Sequence, residues 1–170
     1  FTSAADQING GAGTDTFTLY GTGAVLPTLT SVERLVYASP TAAVESNVSA
    51  IAGLTDVVVQ KAFATGTITT AAGTTVTYDG ATTAALDQVV VTAATAAAAT
   101  VGVTNGANLG ELTVTGAAVK TLNIASNGLA ANTIVSLAGS AGATAQANST
   151  LNITGTQKLT IDTALDADFT

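Results

Sequence analysis

The chain has 170 residues, with eleven carboxylates against four basic residues, a net charge of −7, and no Cys, His or Met. The basic residues Arg34, Lys61, Lys120 and Lys158 are scattered, which disfavours a nucleic-acid partner because phosphate binding draws on clustered Lys and Arg; the missing Cys and His exclude disulfides, thiolate metal sites and ordinary transition-metal centres. Apolar residues make up 47% but aromatics only 4%, and Ala and Thr together supply 68 positions, so thin, repetitive β layers filled by small side chains are expected.

The most specific stretch comes early. Gly10-Gly11-Ala12-Gly13-Thr14-Asp15-Thr16-Phe17-Thr18 fits the nine-residue pattern G-G-x-G-x-D-x-U-x at every fixed position, U being a large apolar residue. Phe1 to Asn9 lie in the same register without the glycines: Asp6 falls where Asp15 falls, and Ile8 where Phe17 falls. Calcium takes six to eight hard oxygens, which glycine-rich backbone followed by a carboxylate can supply. The candidate ligands are Asp6, Asn9, Gly10, Gly11, Ala12, Gly13 and Asp15, with Asp15 giving a side-chain oxygen, the loop its carbonyls, and Asp6 serving a neighbouring site. A bare glycine-rich turn with a solvated Asp15 is the alternative.

These residues resemble the repeats-in-toxin (RTX) family of secreted proteins, whose nonapeptides wind a parallel β-roll with calcium between turns. The resemblance covers nine residues, or eighteen with the degenerate copy. It implies that a calcium is shared between turns two repeats apart, so that one perfect copy supplies half a site and the rest comes from before Phe1 or after Thr18.

Thr16 to Tyr20 alternates as a strand, ended by Gly21 and Gly23, and Thr28 to Tyr37 reads as extended, with Leu29, Val32, Leu35 and Tyr37 as core candidates. Its phrase Leu29-Thr30-Ser31-Val32-Glu33-Arg34-Leu35 is similar to one in surface-layer (S-layer) and related RTX-bearing surface proteins. Ser39 as N-cap, Pro40, the spacing Val44, Val48, Ile51 and then Gly53 predict one short helix over 39–53, lying across a sheet edge or closing the end of a β stack.

From Leu54 a recurring strand phrase appears, at 54–59, 86–92, 109–116, 119–124, 150–155 and 157–162, with Thr133 to Leu137 as a further strand. Repetition points to stacked rungs. The uneven spacing leaves two all-β architectures: an irregular parallel β-helix or β-roll of stacked short strands, or a β-sandwich. Ala93 to Thr100 reads as a loop or extended rung, and Gly139 to Ser149 as a surface loop. The expected organisation is an RTX-like calcium turn with its strands over 1–38, the helix over 39–53 and a solenoid-like region over 54–170, in one continuous domain cut from a longer chain.

Neither a zinc helix, nor a nucleophile elbow, nor a phosphate loop occurs in the sequence, so an enzyme is not expected. Asp162, Asp166 and Asp168 suggest solvated turns or a further calcium segment. The phrases Thr67-Ile68-Thr69, Thr75-Val76-Thr77 and Thr113-Val114-Thr115 lack the constant period an ice-binding face needs. No run of about twenty apolar residues could span a membrane. The expected role is a structural module of a secreted, calcium-stabilised bacterial cell-surface protein that assembles with copies of itself in a lattice, with cell-surface polysaccharide engaged through another domain. The alternative is a calcium-dependent adhesin or extender module.

Overall fold

The computed structural model describes residues 5–21, 26–80, 82, 85–138 and 150–163. Short stretches that alternate β-branched or apolar residues with Thr, Asn and Gly are long enough to cross one face of a narrow stack, and turn residues then reverse them. Two series of strands result. One face is a seven-stranded sheet of β2 (Thr16–Tyr20), β4 (Arg34–Ala38), β6 (Asp56–Gln60), β8 (Thr75–Asp79), β10 (Ala98–Thr104), β12 (Thr121–Asn127) and β14 (Thr150–Gly155). The opposite face holds a six-stranded sheet of β5 (Glu45–Asn47), β7 (Gly66–Thr70), β9 (Leu86–Thr92), β11 (Asn108–Thr115), β13 (Asn132–Ala138) and β15 (Leu159–Ile161), with β1 (Gln7–Asn9) and β3 (Thr28–Thr30) paired separately.

Every strand pairing is parallel, so the chain is a β-solenoid of about six turns and the sandwich alternative falls. The first rungs belong to the same stack: Thr16, Arg34, Asp56 and Thr75 are register partners in succession. Rungs vary from 18 residues, between Thr16 and Arg34, to 29, between Asn123 and Asn152. Most pairings keep one register along their length, and an irregularity between Leu109 and Leu112 shifts that of β11 against β9.

Register lines identical faces into columns. Phe17, Leu35, Val57, Val76, Val101, Ile124 and Ile153 form one inward column, and its five central members have 0% exposure. Burying each such side chain contributes about 1.5–3 kcal/mol, so the columns supply most of the stability of a chain with so few large residues. A second column runs Leu19, Tyr37, Val59, Tyr78, Val103, Ser126, Gly155.

One corner repeats in backbone conformation though not in sequence. The residue directly after each of β2, β4, β6, β8, β10 and β12 has left-handed φ: Gly21 (87°), Ser39 (50°), Lys61 (52°), Gly80 (94°), Asn105 (57°) and Gly128 (96°). Three of the six are not glycine, and Ser and Lys bear the cost of a Cβ in that region. Asn132, with 0% exposure, braces this corner between rungs. Its Oδ1 accepts from the Gly106 and Ala107 amides, and its Nδ2 donates to the Val103 and Asn127 carbonyls and the Ser126 hydroxyl.

The helix expected over 39–53 is not there; that stretch turns at left-handed Ser39 and enters strand β5. The spacing of Val44 and Val48 is two strand periods rather than one helical turn: Val44, Ser46 and Val48 are all buried and alternate with exposed Glu45 and Asn47. Ser46 hid the alternation because it is polar. It can point inward because the Tyr37 hydroxyl reaches from the opposite sheet and donates to its Oγ at 2.6 Å.

The single extended segment expected from Thr28 to Tyr37 is two strands joined at left-handed Ser31, yet Leu29, Val32, Leu35 and Tyr37 are all buried as expected. After a turn at 93–97 the Ala-rich stretch enters β10. Thr67-Ile68-Thr69 and Thr113-Val114-Thr115 lie in one sheet and Thr75-Val76-Thr77 in the other. The loop expected over 139–149, and Asp166 and Asp168, lie outside the described residues. No helix among the described residues is long and apolar enough to cross a membrane.

Candidate cation-binding corner

The nonapeptide forms the corner between β1 and β2. Gly11 and Gly13 adopt φ of 92° and 126°, conformations that L side chains rarely adopt. Gly10 is required for a different reason. A Cβ there would overlap the Ser31 carbonyl and lie 2.7 Å from the Asp15 Cβ, so only bare backbone lets the loop pack on the next rung. The Gly10 amide donates to the Thr30 carbonyl, and the Gly11 amide to Asn9 Oδ1 in a tight local turn.

Asp15 ends this loop one residue before β2. Glu33 stands one residue before β4, 18 residues later, and the two are stacked one rung apart. The Asp15 carbonyl accepts from the Glu33 and Arg34 amides, while the Asp15 amide donates to Glu33 Oε2 at 2.8 Å. Both residues are half-buried, and Asp15 Oδ2 is buried with no hydrogen-bond partner. A carboxylate oxygen removed from water without a partner is costly, and a divalent cation beside it would relieve that cost.

Nonapeptide geometry explains the pairing. Eighteen residues are two nonapeptide lengths, so Glu33 occupies the place on the next turn that a second repeat's carboxylate would take. Sequence reading missed it because residues 28–32, which precede Glu33 as 10–14 precede Asp15, hold no glycine. The signal was present: Asp15 and Glu33 each immediately precede an alternating strand.

Of the sequence-derived ligands, Asn9, Gly10, Gly11, Ala12, Gly13 and Asp15 lie in this one corner. Asp6 does not. It precedes β1 at its other end, roughly 10 Å of extended strand away, where its carbonyl accepts from the Thr28 amide. Among the described residues no three His, Cys, Asp or Glu side chains converge as a metal-binding group. The residues therefore fit a hard cation held by two carboxylates, with the remaining oxygens from loop carbonyls and water, and do not fit a closed all-side-chain cage. Against known protein families, characterised proteins and solved structures, the chain gives no significant match.

Proposed function

We propose that this chain is a rigid structural module of a secreted, calcium-stabilised, self-assembling bacterial cell-surface protein of the S-layer type. The observation that carries it is the Asp15–Glu33 pair, with its orphaned Oδ2, at a corner joining the first two rungs of a parallel solenoid. Calcium at this corner would bind Asp15, Glu33 and carbonyls of the 10–13 loop and tie one rung to the next. Without the ion the carboxylates repel and the corner opens; at millimolar calcium it closes, and binding adds RT ln(1 + [Ca]/Kd) to stability. The catalytic repertoire of the chain is poor, lacking His and Cys throughout, and the reading assigns it no reaction.

One observation favours the adhesin or extender reading as the second choice. Tyr20 (81% exposed) ends β2 and Phe63 (62%) follows β6, two rungs away, and Leu129 (95%) follows β12. Exposed aromatics such as Tyr20 and Phe63 are common anchors for a partner surface. Polysaccharide binding is assigned to another part of the surface protein.

Thermal unfolding in millimolar calcium and in excess chelator tests the principal reading. At calcium one hundred times Kd the gain is about 2.7 kcal/mol, and for a chain of this size each kcal/mol moves Tm by about 2–4 °C, so a rise of roughly 5–11 °C is expected. Asp15→Asn should remove most of it. Identical melting of the wild type in calcium and chelator would overturn the calcium reading.

A further inference from the structure

Asparagine followed by glycine is a chemically weak step in a chain, because a glycine amide with no Cβ beside it can reach back to the asparagine side-chain carbonyl. The sequence holds three such steps, Asn9-Gly10, Asn105-Gly106 and Asn127-Gly128, with Asp79-Gly80 as an acidic counterpart. All four lie at or just after the end of a strand, and the stack treats them differently. The Gly10 amide donates to the Thr30 carbonyl at 3.0 Å, the Gly80 amide to the Thr104 carbonyl at 2.9 Å and the Gly106 amide to Asn132 Oδ1 at 3.0 Å. A nitrogen engaged in this way must break that bond before it can attack. Among the described residues no group accepts from the Gly128 amide.

Register explains the exception. Lys61, Gly80 and Asn105 each follow a strand and donate to the carbonyl of Asp79, Thr104 and Asn127, one rung on. The acceptor that continues this series for Gly128 is the Thr156 carbonyl, since Ser126 and Gly155 are register partners. Strand β14 ends at Gly155, however, which turns left-handed with φ of 122°. Thr156 then meets the Asn127 side chain instead: its amide donates to Asn127 Oδ1 at 3.2 Å and its hydroxyl at 3.4 Å. One turn thus frees the nucleophile and polarises the carbonyl it would attack. Residues 129–131 are exposed, which leaves the backbone after Gly128 room to swing.

We propose that Asn127 is a modification site, deamidating spontaneously through a cyclic imide in the folded chain. The Gly128 nitrogen bonds to Asn127 Cγ while the two Thr156 donors stabilise the developing oxyanion. The Cγ–Nδ2 bond then breaks, and Nδ2 leaves as ammonia with the proton given up by the Gly128 nitrogen. Water opens the imide at either carbonyl, giving aspartate or isoaspartate. Glycine is fixed at 128 by the fold, because a Cβ there would overlap the Asn105 amide nitrogen and side-chain oxygen. The Asn127 carbonyl accepts from the Asn105 amide and from Asn132 Nδ2, so isoaspartate, which adds a methylene to the main chain at this point, loosens the corner that Asn132 braces.

Peptide mapping by mass spectrometry tests this on the folded chain aged in mildly alkaline buffer, beside the same chain unfolded in urea. Asn9, Asn105 and Asn127 fall in different tryptic peptides, ending at Arg34, Lys120 and Lys158, and electron-transfer fragmentation separates Asn127 from the other asparagines of its peptide and isoaspartate from aspartate. In the folded chain Asn127 should convert at least about tenfold faster than Asn9 or Asn105, whereas in urea all three should convert at comparable rates. Thr156→Val keeps the backbone amide and removes the hydroxyl of an exposed residue, so it should slow conversion at Asn127 about threefold while leaving the melting temperature in place. Conversion of Asn9 or Asn105 as fast as Asn127 in the folded chain, or an Asn127 that persists there while it converts in urea, would overturn the inference. An unchanged rate in Thr156→Val would overturn the part given to its hydroxyl.

Discussion

Tyr37 and Tyr78 occupy the same inward column two rungs apart, and exchanging each for Phe should have opposite effects. Tyr37 donates to Ser46, whereas the Tyr78 hydroxyl is buried with no hydrogen-bond partner. The register explains the difference: Ser46, Ile68 and Val90 are partners in the facing sheet, so the rung of Tyr78 carries Val90 in the position that Ser46 takes on the rung of Tyr37. Tyr37→Phe leaves the Ser46 hydroxyl buried and unpaired and should cost about 1–2 kcal/mol; Tyr78→Phe removes a group already unpaired and should be neutral or stabilise by up to about 1 kcal/mol. Urea unfolding followed by circular dichroism reads both as shifts in midpoint at unchanged m-value. The double variant Tyr37→Phe with Ser46→Ala should recover most of the loss. Equal destabilisation by both single Phe variants would refute the reasoning, because the Tyr78 hydroxyl would then have a partner.

The same tyrosines set an alkaline limit. Burial pushes the Tyr37 hydroxyl up to about 12 against a modest lowering by its bond to Ser46, and burial alone pushes Tyr78 higher still. Folded pKa values above the unfolded value of 10 mean that the unfolded chain releases protons first. The stabilisation is therefore complete below pH 10 and is lost as pH rises from 10 toward 12 and beyond, by about 1.4 kcal/mol per unit for each tyrosine.

Other substitutions probe the corners. Asn132→Ala strips five hydrogen bonds from a fully buried corner and should cost at least about 3 kcal/mol, read by chemical denaturation at low temperature. Lys61→Gly relieves a left-handed non-glycine residue and should gain about 1 kcal/mol, seen as a higher melting temperature. Gly10→Ala would drive a methyl into the Ser31 carbonyl, and should lower both melting temperature and the calcium-dependent shift measured against chelator.

Several features were legible before any coordinates. Strand phrases built on Leu, Val and Ile mark most of the later rungs, because one inward face per rung must be apolar whatever its neighbours are. Buried Leu29, Val32, Leu35 and Tyr37 were legible for the same reason. The helix over 39–53 was misread because a serine stands at an inward position, and nothing in the local sequence says that Tyr37 will arrive to satisfy it. The second half of the cation corner was illegible in kind: Glu33 carries no glycine motif, and only stacking brings it beneath Asp15.

Composition and alternation by themselves determined that this protein is all-β, with short strands filled by small side chains, and left a stacked solenoid and a sandwich both open. They did not determine which residues share a column, because rungs of 18 to 29 residues have no fixed period to count by. Tertiary structure decided that through backbone pairing, which holds register across corners of unequal length. The left-handed row from Gly21 to Gly128 shows the same division: glycine marks half of it and Asn105 tolerates it, while at Ser39 and Lys61 the parallel stack imposes a backbone conformation that those side chains do not choose.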